Sequence, residues 1–114
     1  MTGLVLPFTS LHIRRSKLTH YLLDPGHPDG GPKAVYFLGF GFRRDRPEPL
    51  ADALLEHARV NPVVRIERTR WGIKIVVDGP LATPDGRDPG VRAVWIGEDG
   101  GAAELVTAYP VPGL

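Results

Sequence analysis

The alternation of apolar and polar residues has a period of two throughout the second half of the chain. Four runs show it, at residues 63–68, 73–77, 91–96 and 105–109. Clusters of glycine, proline and aspartate separate the runs, as is typical of strands joined by tight turns. The pattern therefore predicts a four-stranded antiparallel meander.

Strict alternation also assigns side chains to the two faces of this predicted sheet. In the third run it directs Arg92 to the face opposite Trp95. In the last run it puts Leu105, Thr107 and Tyr109 together on one face. These assignments determine which polar side chains can meet in one site.

The first half of the chain shows helical spacing instead. Leu18, Tyr21 and Leu22 share one face of a predicted helix over residues 17–23. Pro32 suits the first turn of a second helix, because its missing N–H needs no partner there. A third helix begins at residues 47–49 and carries an apolar residue at every fourth position.

Three helices followed by four strands predict an α+β fold, with the helices packed on one face of the meander. The 114 residues suit a single domain over residues 1–114, with one hydrophobic core. Within it, residues 1–15 are expected to form an N-terminal arm or an edge strand, and residues 111–114 a short tail.

Composition narrows the classes of function. The absence of cysteine excludes disulfides, thiolate nucleophiles and sulfur-ligated zinc. A net charge of +1 gives no broad basic surface, so any contact with RNA must use a small local patch. The sequence has no apolar run of membrane-spanning length and no secretory pattern, so we expect a cytoplasmic protein without membrane contact.

Metal and cofactor chemistry find little support in the sequence. The four histidines have no short ligand spacing between them, and no carboxylates stand beside them in a metal-binding pattern. There is no phosphate-binding P-loop, no dinucleotide-binding glycine motif and no serine in a nucleophile elbow. We therefore expect neither a metal ion nor a cofactor.

Several short motifs between residues 15 and 110 carry a resemblance to a known family. They are His27-Pro-Asp-Gly30, Lys33-Ala34, Gly41-Phe42, Trp71-Gly-Ile-Lys74, Gly79-Pro-Leu81, Gly86-Arg87, Val91-Arg-Ala-Val-Trp95 and Leu105-Val-Thr-Ala-Tyr-Pro110. Their order resembles a bacterial family of small domains of unknown function, found free-standing and at the ends of phage head-morphogenesis and polymorphic-toxin proteins. The chain departs from that family's pattern at Thr83, Asp85 and around Arg46, which affects loops rather than the fold.

Helices followed by a four-stranded antiparallel sheet are also similar to the architecture of barnase-like and RelE-like ribonuclease toxins. This likeness implies a toxin-like domain that cleaves RNA without a metal ion, with RNA and an antitoxin or immunity protein as its partners. Such cleavage needs a base, an acid and cations around the phosphate. The candidate catalytic residues are His27, Lys33, Arg87, Arg92, Thr107 and Tyr109.

Each candidate also has a purely structural interpretation. His27 can cap nearby backbone N–H groups, Lys33 can be a solvated surface charge, and Arg87 can pair with a neighbouring aspartate. The alternative function is a non-catalytic protein-interaction module that uses its sheet edge or the Arg43–Arg46 loop. An enzyme must instead bring His27 and an arginine into one cleft near Tyr109.

Overall fold

The computed structural model describes residues 6–113, which form a mixed five-stranded sheet with helices packed on one face. Its helices are α1 (Arg15–Lys17), which continues into one π-helical turn (Leu18–Leu22), α2 (Gly31–Gly39) and α3 (Glu48–Val60). Its strands are β1 (Ser10–His12), β2 (Val63–Thr69), β3 (Gly72–Pro80), β4 (Gly90–Gly97) and β5 (Ala102–Pro110).

The predicted four-stranded antiparallel meander is wrong, although the α+β class holds. The strand order is β1-β5-β4-β3-β2, and β1 pairs with β5 in parallel, Ser10 opposite Ala102. Residues 10–12 are too few to show a period of two, so only their distant partner identifies them as a strand. Within residues 1–15 these three form the edge strand, and residues 1–5 lie outside the described part.

The buried apolar residues form one cluster between the helices and the sheet. α3 contributes Leu50, Leu54 and Ala58, which the four-residue spacing predicted and which have no exposed surface. The sheet contributes Trp95 from β4, also fully buried. The opposite face of the sheet, called the open face below, is the side to which Arg92 points.

The last turn of α3 is bonded to β3 and β4. Buried His57 faces the carbonyl oxygens of Gly79 and Val91, at 3.1 Å and 2.9 Å from its Nε2, so Nε2 carries the proton and donates. One turn later, the Asn61 amide donates to the carbonyls of His57 and Pro80, both at 3.1 Å. The His57–Asn61 pair thereby sets the position of α3 along the sheet.

A β-bulge in β5 changes which side chains reach the open face. Adjacent residues of β4 pair with Leu105 and Thr107, which leaves Val106 as an extra residue. The prediction that Leu105, Thr107 and Tyr109 share one face is therefore wrong. Leu105 lies in the core at 4% exposure, whereas Thr107 and Tyr109 point to the open face.

Among the helices of residues 6–113, the longest has 13 residues, and none has the length and hydropathy needed to cross a membrane.

Candidate functional site

The π-helical turn directs Tyr21 to the edge of β5, where polar residues from four segments surround it. Its hydroxyl shares a hydrogen bond of 3.2 Å with Thr107 Oγ1. The ammonium groups of Lys17 and Lys33 lie 5.0 Å and 5.3 Å from its ring centre. The His27 ring meets it edge-on, with 5.0 Å between ring centres. These five residues are called the Tyr21 cluster below.

Local backbone geometry allows this approach. The N–H of Leu23 bonds to the carbonyl of Leu18, five residues earlier, which widens the turn that carries Tyr21. At Gly30, an added Cβ would lie 2.5 Å from the Tyr21 carbonyl oxygen and 2.8 Å from its ring. Only glycine therefore lets the turn that follows His27 pack this closely against Tyr21.

Two half-buried tyrosines differ in how their surroundings shift the phenol pKa. Burial raises the pKa of Tyr21, but the hydrogen bond with Thr107 and the charge of Lys33 outweigh it, so the net pKa lies below 10.0. Burial raises the pKa of Tyr36 above 10.0, and the charge of Arg87 offsets this only in part. The Tyr21 phenol is thus the easier of the two to ionise.

We expect an ultraviolet titration of the folded protein to separate these two phenols. Tyr21→Phe should remove a phenol that ionises below pH 10, and Tyr36→Phe should remove one that ionises above it. Difference absorbance of the phenolate between wild type and each variant measures both. Identical midpoints for the two removed groups would contradict the polar environment assigned to Tyr21.

His27 caps backbone, as its structural interpretation predicts. Its Nδ1 accepts hydrogen bonds from the N–H groups of Asp29, at 3.0 Å, and Gly30, at 2.9 Å. In the neutral ring the proton must then be on Nε2, which is a donor. His27 can therefore donate a hydrogen bond to a ligand, but it cannot act as a base without losing these contacts.

Arg92 and Tyr109 lie beside the Tyr21 cluster on the open face. They are cross-strand partners, and Tyr109 is two residues from Thr107 on the same face. The Arg92 guanidinium makes two hydrogen bonds, of 2.8 Å and 2.7 Å, to the carboxylate of Asp78 on β3. The bonds to Asp78, and to a smaller extent a side-chain hydrogen bond with Tyr109, raise the pKa of Arg92. The guanidinium therefore stays charged and paired with the Asp78 carboxylate.

Arg87 lies away from the Tyr21 cluster. It bonds to Asp85 at 2.6 Å and to the Gly39 carbonyl at 2.8 Å, and it stacks 4.2 Å over the Phe40 ring. Gly39 ends α2, whereas Lys33 is in its first turn, about 9 Å away by helical rise. Arg87 therefore fastens the loop before β4 to the end of α2.

The structure thus places His27, Lys33 and Thr107 around the phenol of Tyr21. Arg92 and Tyr109 lie beside this group. Sequence patterns did not predict three residues of this surface, Tyr21, Lys17 and Asp78. Tyr21 shares a helix face with two leucines in the sequence pattern, and Asp78 comes directly after the alternating run 73–77, although β3 includes it. Among residues 6–113, no group of three or more histidine, aspartate or glutamate side chains could hold a metal ion.

Comparison with known proteins gives a family but no activity. A family model described as a domain of unknown function, DUF6883, matches residues 7–112. No curated protein and no solved structure matches the chain. The match agrees with the resemblance to a small uncharacterised domain, and it carries no information on a bacterial, phage or toxin context. Because it covers nearly the whole chain, the protein belongs to the DUF6883 family of domains of unknown function.

Proposed function

We propose that this domain is a toxin-like ribonuclease that cleaves RNA without a metal ion, using the Tyr21 cluster. One arrangement carries the proposal: the Tyr21 hydroxyl is bonded to Thr107, its pKa is lowered, and the ammonium groups of Lys17 and Lys33 lie 5.0 Å and 5.3 Å from its ring centre. Cleavage of a phosphodiester needs cations around the phosphate and a nearby group that can accept or donate a proton. The cluster supplies both within one side-chain length.

The chemistry would proceed by attack of the RNA's own 2′-hydroxyl on the adjacent phosphorus. The Tyr21 phenol, once it has lost its own proton, takes the 2′-hydroxyl proton, and the new bond from the 2′-oxygen to phosphorus gives a cyclic phosphate. The bond to the 5′-oxygen breaks, and Lys33 returns a proton to that oxygen. His27 contributes the hydrogen bond that its Nε2–H can donate to a phosphate oxygen.

Arg92 has a supporting part in this proposal. Its two bonds to Asp78 hold the guanidinium on the open face, and Tyr109 is its cross-strand neighbour. A guanidinium that is already paired adds less attraction for phosphate than a free one. We therefore assign it to positioning Tyr109 and the strand end beside Thr107, rather than to binding the scissile phosphate.

Cleavage of a labelled RNA in the presence of a chelator tests the proposal. We expect wild-type protein to cleave, and Tyr21→Phe to be slower by about 100-fold or more, the usual contribution of a proton-transfer group. Tyr36→Phe is the matched control, because it removes the phenol of a tyrosine outside the cluster. Its rate should equal that of wild type.

Two results would overturn the ribonuclease proposal. One is wild-type protein that cleaves no RNA under conditions where it is folded. The other is cleavage by Tyr21→Phe at the wild-type rate. Unimpaired growth of cells that express the chain would count against the toxin-like part of the proposal, and with it against an antitoxin or immunity protein as partner.

A non-catalytic protein-interaction module is the second candidate, and the free edge of the sheet favours it. β2 exposes Val64 and Ile66 there. The Arg43–Arg46 loop offers less, because Arg43 is bonded to Asp45 within the loop and Arg44 to the Thr19 carbonyl. A binding function would therefore use β2.

A further inference from the structure

β2 is the long strand with which the sheet ends on the side away from β1. It has seven residues, and the sheet order ends with it, so one side of its backbone has no strand beside it. Val64 and Ile66 are 51% and 59% exposed. A long edge strand with exposed apolar side chains is a template for pairing with another chain.

We propose that a second copy of this chain pairs antiparallel with β2, so that two sheets join into one across a twofold axis at Ile66. A symmetric interface of this kind requires a strand that is complementary to itself. The sequence Val63-Val-Arg-Ile-Glu-Arg-Thr69 meets that requirement. The proposal is independent of the ribonuclease activity.

The backbone of Ile66 faces the right way for this pairing. Thr69 and Gly72 pair across a two-residue connection, so they form the first hydrogen-bonded pair of the β2–β3 ladder. Bonded and non-bonded pairs alternate in an antiparallel ladder, which makes Ile66 and Ile75 a non-bonded pair. The N–H and C=O of Ile66 therefore point to the free edge, where the same residue of a second copy can bond to both.

Charge selects this register over its neighbours. With the axis at Ile66, Arg65 of each copy lies opposite Glu67 of the other, and opposite charges at such positions stabilise pairing. Within one copy these two side chains already form an ion pair of 3.3 Å, and Glu67 also reaches Lys74 at 3.4 Å. An axis at Arg65 or at Glu67 would instead place like charges opposite each other. Because β2 has a bulge at Val64, the segment that pairs across the axis is limited to Ile66 and its immediate neighbours.

The mass in solution as a function of protein concentration tests the proposal. Wild-type protein should approach twice the monomer mass of 12.4 kDa as its concentration rises. Ile66→Lys should remain monomeric, because it puts two ammonium groups at the axis, and its side chain is already exposed in the monomer. Val35→Lys is the control. It introduces the same charge at an exposed apolar residue of α2, away from β2, and should dimerise like wild type.

Charge reversal tests the register itself. Arg65→Glu alone puts glutamates opposite each other and Glu67→Arg alone puts arginines opposite each other, so each variant should be monomeric. An equimolar mixture of the two should form a heterodimer, because both pairs between positions 65 and 67 are then of opposite charge. Wild-type protein that stays monomeric at all concentrations, Ile66→Lys that still dimerises, or a mixture that stays monomeric would each overturn the proposal.

Discussion

Replacing His57 with alanine is expected to lower the free energy of unfolding by about 2–4 kcal/mol, from the cavity and the lost hydrogen bonds together. The side chain is 1% exposed and bonds to carbonyl groups on two adjacent strands, Gly79 on β3 and Val91 on β4. Since small domains have only about 5–15 kcal/mol of stability, the loss is a large share of the total.

Urea unfolding monitored by circular dichroism measures this change. Arg59→Ala is the control on the same helix, because its guanidinium is exposed and pairs with Glu56 on the surface. Its midpoint should move far less than that of His57→Ala. Equal midpoints for the two variants would show that the buried imidazole does not hold α3 against the sheet.

The same residue should make stability depend on pH. Burial lowers the pKa of His57 below 6.5, although the hydrogen bonds to Val91 and Gly79 favour the charged ring. In the unfolded chain the imidazole gains a proton near pH 6.5 and in the folded protein it does so only at lower pH, so its contribution is complete above pH 6.5 and decreases as the pH falls below it. The difference in stability between wild type and His57→Gln should shrink over that range. A difference that stays constant would contradict a neutral buried ring.

Replacing Gly79 with alanine is expected to cost about 1–3 kcal/mol of unfolding free energy, the usual effect of overpacking. An added Cβ would overlap the carboxamide of Asn61. That side chain cannot move aside without losing its bonds to the carbonyls of His57 and Pro80. The absence of a Cβ at Gly79 is thus what lets α3 end against β3.

A double variant isolates the cause of that loss. Asn61→Ala removes the group that the new methyl meets, so Gly79→Ala should cost less in that background than in wild type. Gly39→Ala is the matched control, because its added Cβ would meet no atom within 4 Å apart from its chain neighbours and the adjacent backbone of its own helix. The same cost for Gly79→Ala in both backgrounds would mean that the overlap with Asn61 is not responsible.

Local sequence patterns predicted much of the fold, but they failed where contacts between distant segments determine the structure. The runs that begin at Val63, Ile73 and Val91 became strands, and the leucine spacing after Pro49 became α3. The sequence did not decide between an arm and an edge strand for residues 1–15. The three residues of β1 are too few to show a period, and their partner strand is far along the chain. The bulge at Val106 was missed because it arises from the pairing of β5 with β4, and nothing in β5 alone marks it.

The sequence predicted some residues of the Tyr21 cluster and missed others, again because contacts between distant segments bring them together. His27, Lys33 and Thr107 do come together, but the group that joins them is Tyr21, which helical spacing assigned to the core face. A π-helical turn changes the direction of that side chain, and such a turn has no simple sequence signal. Arg87 is a candidate only through the resemblance, yet it bonds to Asp85 within its own loop and to the Gly39 carbonyl at the end of α2.

The parallel pairing of β1 with β5 also limits when the molecule can finish folding during its synthesis. Thr9 and Gly101, which are bonded beside this pair, are 92 positions apart. Bringing such distant segments together is entropically costly and slows folding. On the ribosome, β1 can pair only after β5 has emerged, so the helices and the strands between them can associate while one edge of the growing sheet is still incomplete.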